Sequence, residues 1–136
     1  MKKIILRTIL LILIILTCLI IFEFSSQNAN DSKEVSGKIT EKIVSIFYNV
    51  KLDKNRVESI VRKIAHYSIY TLLGIEIMSF VSTFTIKEFD RISFALIAGM
   101  IYAMIDEIHQ AFVSGRGALI TDVMLDTLGV ITGIFI

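Results

Sequence analysis

Four long apolar runs dominate the sequence, and they predict four helices that cross a membrane. They extend over residues 4–22, 64–84, 92–112 and 119–136. The first run has 19 residues, and at 1.5 Å per residue it covers about 28 Å of a hydrocarbon layer roughly 30 Å thick. The other three runs contain ionisable side chains, each of which costs roughly 2.5–3.5 kcal/mol at the centre of a membrane helix. We therefore expect these side chains to have partners or water inside a helix bundle.

The connection between the first two runs, residues 23–63, is polar but shows helical periodicity. Its apolar positions are Ile39, Ile43, Ile46, Phe47 and Val50. This spacing predicts an amphipathic helix on the membrane surface, and the alternative is a solvated linker with accidental periodicity. Asn55 followed by Glu58 is typical of a capping box and predicts a helix start that leads into the second run.

The composition supports a single all-α membrane domain over residues 1–136, a four-transmembrane-helix bundle with one interfacial helix between the first two spans. Hydrophobic residues make up 54% of the chain, and the mean hydropathy is +0.74. The net charge of +1 gives no basic field for nucleic acid. Cys18 is the only cysteine, which excludes an internal disulfide and a cysteine-based metal site.

The charges around the first run predict a cytoplasmic N-terminus. Lys2, Lys3 and Arg7 precede or begin this run, whereas residues 23–32 contain no Lys or Arg. Basic residues close to the span ends favour the cytoplasmic side, although the total count of Lys and Arg is higher on the other side. A cleaved signal peptide is the alternative, but the apolar run is longer than a usual signal and no A-x-A site follows it.

In this orientation the polar residues of the spans fall at one depth, near the outer surface. Arg62, His66 and Tyr70 are spaced four apart and therefore share one face of the second helix. We expect an outward-facing polar pocket lined by Ser26, Gln27, Arg62, His66, Tyr70, Asp106, Glu107, His109, Gln110, Arg116, Asp122 and Asp126.

The fourth helix carries two acids and two glycines on one stripe. Asp122 and Asp126 are followed at helical spacing by Gly129 and Gly133, a G-x-x-x-G pattern that allows close backbone contact between membrane helices. The two carboxylates either share a proton or are neutralised by Arg62 or Arg116.

Several kinds of chemistry fit this residue set. Arginine binds phosphate bidentately, so Arg62 and Arg116 suit the pyrophosphate of a lipid-linked wall precursor or an anionic lipid headgroup. His66, Glu107 and His109 suit acid–base chemistry or a metal. Glu107 and His109, however, point about 200° apart on a helix, and no complete metal motif is present, so we expect neither a metal nor a cofactor.

A structural reading of the same residues also stays open. Polar residues in membrane bundles often only hold helices together, at about 0.6 kcal/mol per hydrogen bond. In this reading the pairs are Arg116 with Asp122 and Arg62 with Asp106.

Three segments resemble the VanZ-like family of bacterial membrane proteins: FSSQ, RKIAHYSIYTLLG and YAMIDEIHQAFVSGRGALITDVMLDTLG. The resemblance covers essentially the whole chain, and it implies a multi-pass membrane protein associated with resistance to teicoplanin-type, lipid-tailed glycopeptides. The matching positions are Ser25, Ser26, Gln27, Arg62, Lys63, His66, Tyr70, Gly74, Asp106, Glu107, His109, Gln110, Arg116, Asp122 and Gly129. The chain departs from the family at Asp126, where asparagine is common, and in VSGRG, which lacks a frequent proline.

Three classes of function follow from these observations. The first is a binding protein in a bacterial, Gram-positive cell membrane that engages a membrane lipid, a lipid-linked wall precursor or a lipoglycopeptide antibiotic. The second is an intramembrane hydrolase or transferase on a polyprenyl or glycolipid substrate, which a contact of Ser25 or Ser26 with His66 would favour. The third is a small accessory subunit of a membrane complex.

Overall fold

The computed structural model describes residues 1–27, Gly37, 53–114 and 117–136, and their regular structure is entirely helical. The four helices are α1 Lys2–Ser26, α2 Lys54–Ser82, α3 Glu88–Ala111 and α4 Ile120–Ile134. The predicted all-α class is confirmed for this part of the chain. The predicted surface helix around residues 39–50, and Arg116, lie outside the described residues.

Three of these helices, α1, α2 and α3, are long and apolar enough to cross a membrane. α4 has 15 residues and covers about 22 Å at 1.5 Å per residue. It is shorter than the predicted run because its N-terminal neighbour, Leu119, is extended and its last turn ends before Phe135.

The first turn of α2 differs from the prediction. The N-cap is Asp53, whose Oδ1 accepts a hydrogen bond of 3.1 Å from the backbone N–H of Asn55. The predicted capping box at Asn55 is therefore wrong by two residues, since an aspartate carboxylate two positions earlier already satisfies the free N–H. α2 consequently begins ten residues before the apolar run that marks it in the sequence.

Arg7 fixes the end of the bundle where α1 begins and α2 ends. Its Nε donates to Thr83 Oγ1 at 3.0 Å, and its Nη2 donates to the Thr83 carbonyl at 2.9 Å. The guanidinium also lies 3.9 Å from the centroid of the Phe84 ring. A cation at a helix C-terminus is favourable because the last carbonyls carry partial negative charge. Arg7 thus holds α1 against the last turn of α2.

The closest helix packing in the bundle joins α2 to α4, and it depends on glycine. A Cβ at Gly129 would lie 2.6 Å from the Tyr67 carbonyl, and a Cβ at Gly133 would overlap the Thr71 carbonyl. The predicted role of the G-x-x-x-G pattern is confirmed, because both glycines allow the two backbones to touch. The Tyr67 hydroxyl, 2.8 Å from Thr132 Oγ1, adds a hydrogen bond beside this contact.

The outer surface of α1 is almost wholly apolar. Ile4 is 66% exposed and Leu19 is 58% exposed, and their apolar neighbours on the same faces are similar. So large an exposed apolar surface is unfavourable in water and suits contact with lipid chains. The bundle core is small by comparison, and its buried hydrophobic residues are Ile21, Tyr70, Leu73, Ile77, Ala95, Ala103, Val130 and Ile134.

Gly133→Leu is expected to destabilise the bundle, because the new side chain has to push the α2 and α4 backbones apart. Overpacking of this kind costs about 1–3 kcal/mol or more. Thermal unfolding in detergent should show a clearly lower Tm than in the wild type. The matched control is Gly117→Leu, since a Cβ there meets nothing within 4 Å. Equal Tm values for the two variants would contradict the proposed close contact.

Candidate functional site

A polar cavity of about 320 Å³ lies where α1 and α3 end and α2 and α4 begin. Its walls include many of the residues that the sequence predicts for a pocket: Arg62, His66, Glu107, Gln110, Asp122 and Asp126. Ser59 and Lys63 also line it and were not predicted. We call this space, together with the residues that line it, the polar cavity.

Charge is divided between the walls of the polar cavity. α2 contributes Arg62, Lys63 and His66, whereas the carboxylates come from α3 and α4. Helical periodicity explains the first group, since residues 59, 62, 63 and 66 recur at intervals of three and four and so lie on one side of α2. The cavity therefore has one wall rich in cations and an opposite wall rich in anions.

Lys63 makes the ion pair at the rim of the polar cavity. Its Nζ lies 3.2 Å from Asp122 Oδ1, and the two side chains are 48% and 32% exposed. The sequence pointed instead to Arg116 or Arg62 as the neutralising partner, and Arg116 lies outside the described residues. A partly exposed pair of this kind contributes about 0–1 kcal/mol, so its members can exchange partners with a ligand at little cost.

Asp126 lies at the bottom of the cavity and is only 1% exposed. Its Oδ2 is 3.6 Å from His66 Nδ1. Neither carboxylate oxygen accepts a hydrogen bond within the described part of the chain. A buried carboxylate without hydrogen bonds is strongly unfavourable, so its environment requires a compensating positive charge or proton.

Asp106 and Tyr70 join Asp126 in this buried layer. Asp106 is 3% exposed; its Oδ2 accepts from Gln110 Nε2 at 3.1 Å, rather than from Arg62 as the structural reading supposed. Its Oδ1 and the hydroxyl of the fully buried Tyr70 have no hydrogen-bond partner among the described residues. Helices α2, α3 and α4 thus each contribute one incompletely satisfied polar side chain to the same place.

Glu107 connects α3 to the start of α4. Its Oε1 accepts a hydrogen bond of 2.6 Å from the backbone N–H of Leu119, the N-cap residue of α4. The first N–H groups of a helix have no partner inside it, and the nearly buried Glu107 carboxylate satisfies one at this end. Glu107 therefore fixes the first turn of α4 at the wall of the polar cavity.

His109 faces α1 instead of the polar cavity. Its ring stacks on Phe22 with a centroid distance of 4.4 Å, and its Nε2 lies 3.1 Å from Ser26 Oγ. Ser26 Oγ donates its single proton to the Phe22 carbonyl at 2.7 Å. When the Ser26 hydroxyl is directed to Phe22, His109 is the donor to Ser26, and in this arrangement the histidine does not take a proton from the serine as a catalytic base would.

Other residues near this end have structural positions. Gln27 is the C-cap of α1, and Tyr102 donates to the Cys18 carbonyl at 2.6 Å, which joins α3 to α1. Ser25 is buried and lies 3.5 Å from Gln110 Nε2, which donates to it.

Glu76 is a buried polar residue that the sequence reasoning missed. It is 8% exposed, and its Oε1 accepts a hydrogen bond of 3.0 Å from Thr17. It follows His66 by ten residues, about 15 Å along α2 toward the opposite end of the bundle. A carboxylate in the middle of an apolar run is itself a sequence signal of a polar side chain that faces the interior of the bundle.

A comparison with known protein families matches residues 9–136 to VanZ/LLP1. Neither the curated proteins nor the solved structures compared with the chain gave a match. The family match includes most of α1, the whole of α2–α4 and every residue of the polar cavity, and it agrees with the resemblance read from the three sequence segments. With three helices long and apolar enough to span a bilayer, the chain is a membrane protein, and it belongs to the VanZ/LLP1 family.

Proposed function

We propose that this chain is a multi-pass membrane protein whose polar cavity binds the phosphate-bearing headgroup of a lipid in the outer leaflet. The observation that carries the proposal is the cationic wall of α2, where Arg62 and Lys63 face a cavity of about 320 Å³. This volume lies at the lower end of the range of about 300–1,000 Å³ for ligand sites. The cavity is thus large enough for a headgroup, and its α2 wall offers two cations to a phosphate.

In the proposed topology the N-terminus is cytoplasmic and α4 is a fourth, short span. The length of α2 supports a headgroup-level cavity: measured back from Ser82, about 30 Å of helix reaches Arg62. The residues of α2 that precede Arg62 then extend beyond the hydrocarbon layer. An arginine at this depth meets phosphate groups rather than acyl chains.

Both walls of the cavity have a role in recognition. Arg62 presents a planar fork that suits two phosphate oxygens, and Lys63 is a second cation that can leave its rim pair with Asp122. The carboxylates of the opposite wall suit sugar hydroxyls or an amine. A headgroup with phosphate at one end and hydroxyl or amine groups at the other, as in a lipid-linked wall precursor, satisfies both walls.

The family link leads to a physiological role. The best-known VanZ-like proteins are associated with resistance to teicoplanin-type glycopeptides, whose lipid tails place them at the same membrane surface as lipid-linked precursors. We propose that this chain gives low-level protection of this type in a Gram-positive membrane.

For the alternative of an intramembrane hydrolase or transferase, the sequence pointed to a contact of Ser25 or Ser26 with His66, whereas the histidine that Ser26 contacts is His109. The Ser26 hydroxyl is also 2.7 Å from the Phe22 carbonyl, which competes with His109 for its proton and so disfavours an activated nucleophile. The binding function is therefore preferred.

The topology is tested by single cysteines at Ser114 and Glu88 in a Cys18→Ser background. Both positions are exposed, and they lie at opposite ends of the bundle, Glu88 at the start of α3 and Ser114 just after its end. On intact cells, an impermeant maleimide should label position 114 and leave position 88 unlabelled until the cells are opened. The reverse pattern would place the polar cavity in the cytoplasm and contradict the proposed lipid site.

Headgroup binding is tested with polyprenyl pyrophosphate added to the full chain in mild detergent, and with the unphosphorylated polyprenol as the ligand control. Arg62→Ala should weaken binding about tenfold or more, since a hydrogen bond to a charged group contributes roughly 1.5–3 kcal/mol. Arg56→Ala is the matched control, because Arg56 is on the same helix with its side chain 87% exposed. Equal affinities for the two variants, or for the two ligands, would contradict the phosphate site.

Protection is tested by expression in a susceptible Gram-positive host. The wild type should modestly raise tolerance to lipid-tailed glycopeptides, with little effect on tailless ones. Arg62→Ala and His66→Ala should lose this effect at unchanged protein levels, whereas Arg56→Ala should keep it. If the cavity variants protect as well as the wild type, the polar cavity has no part in protection.

A further inference from the structure

We propose that His66, Asp106 and Asp126 bind a divalent metal ion of the zinc or manganese class. The three residues come from α2, α3 and α4 and are called the His–Asp–Asp cluster. One possible ligand atom of each lies within 4.8 Å of those of the other two. The sequence offered no metal motif here, because the three positions converge only through the packing of three helices.

The distances suit a metal with short bonds. Zinc binds histidine nitrogen and carboxylate oxygen at about 2.0–2.2 Å, which separates the ligand atoms of a tetrahedral site by about 3.3 Å. His66 Nδ1 and Asp126 Oδ2 are already 3.6 Å apart. Because no separation in the cluster exceeds 4.8 Å, the ligand atoms need to approach by at most about 1.5 Å, an adjustment within the reach of carboxylate rotation.

Carboxylate oxygen atoms of the cluster that accept no hydrogen bond from the described residues would be stabilised by a cation. Asp106 and Asp126 are 3% and 1% exposed. Asp106 Oδ1 and both Asp126 oxygens accept no hydrogen bond within the described residues. Two adjacent buried carboxylates repel each other unless a proton or cation lies between them. A divalent ion at this position supplies the missing charge and uses the free lone pairs.

Tyr70 is a third buried polar side chain at the same position. Its side chain is fully buried, and its hydroxyl has no hydrogen-bond partner among the described residues. The hydroxyl lies near the carboxylates of Asp106 and Asp126, and Asp106 is the acceptor within its reach. A buried tyrosine hydroxyl normally has a partner. A water bound to an ion between the two carboxylates would supply one.

The donor set indicates the class of metal. Imidazole nitrogen suits zinc and iron, and carboxylate oxygen suits magnesium, calcium and manganese, so one nitrogen with two carboxylates favours zinc or manganese. Gln110 Nε2 donates to Asp106 Oδ2 and so orients this ligand from outside the cluster, as is usual for metal sites. His66 and Asp126 also line the polar cavity, which gives an ion a route to the cluster.

Nearby charges provide the competing explanation. Arg62 and Lys63 line the same cavity, and Lys63 pairs with Asp122 at the rim. Protons on the carboxylates, together with a charged His66 beside Asp126, would also neutralise the cluster. The metal proposal does not depend on a lipid, so it is tested with metal ions alone.

The experiment uses the full chain in mild detergent after treatment with a chelator and gel filtration. Zn²⁺ or Mn²⁺ should bind in a ratio of one ion per chain by elemental analysis, and it should raise the Tm. Asp106→Asn and Asp126→Asn should lower the metal affinity about tenfold or more, since each removes a ligand charge. Glu76→Gln is the matched control, because Glu76 is a buried carboxylate of α2 outside the cluster.

A second measurement does not rely on the aspartate variants. Mn²⁺ bound to the wild type should show an electron spin resonance coupling to an imidazole nitrogen, which His66→Ala removes and His109→Ala retains. Failure of Zn²⁺ and Mn²⁺ to bind the chelated wild type would overturn the proposal. So would unchanged affinity in the aspartate variants, or a Tm that responds to pH but not to metal.

Discussion

The close backbone contact between α2 and α4 is the constraint on which the site depends. Gly129 is three residues beyond Asp126, and a Cβ at this glycine would lie 2.6 Å from the carbonyl of Tyr67, the residue after His66. Any larger residue at 129 would push the two helices apart. His66 Nδ1 and Asp126 Oδ2, which are 3.6 Å from each other, would then move apart as well. The same packing brings the cationic face of α2 opposite the acids of α4, so the polar cavity exists because the glycines are there.

Buried charge is the second physical constraint on the site. The rim of the polar cavity, where Lys63 meets Asp122, is partly exposed and can exchange partners with a ligand. Asp126 at the floor and Asp106 beside it are almost fully buried and require a cation or protons of their own. These two levels of one cavity match two proposals that stand independently, a phosphate-bearing headgroup at the rim and a metal ion below it.

The sequence predicted the features that depend on local periodicity. The four helices, the polar side chains at one end of the bundle and the glycine contact of α4 all follow from spacing along single helices. Features that depend on how helices pack could not be predicted this way. His109 faces Ser26 on α1, although the sequence predicted it in one pocket with Asp106, and Lys63 rather than Arg62 pairs with Asp122. The role of Glu107 as the acceptor for Leu119 depends on the path of the loop, which hydropathy does not describe.

The central claim is that the polar cavity holds a phosphate-bearing lipid at the outer surface of the membrane. The most direct measurement is native mass spectrometry of the chain extracted from its host membrane in mild detergent, followed by identification of the lipid that stays bound. The account predicts one retained lipid class with a phosphate or pyrophosphate headgroup, enriched over its share of the membrane. Retention of neutral lipids only, or of lipids in the same proportions as the membrane, would contradict it.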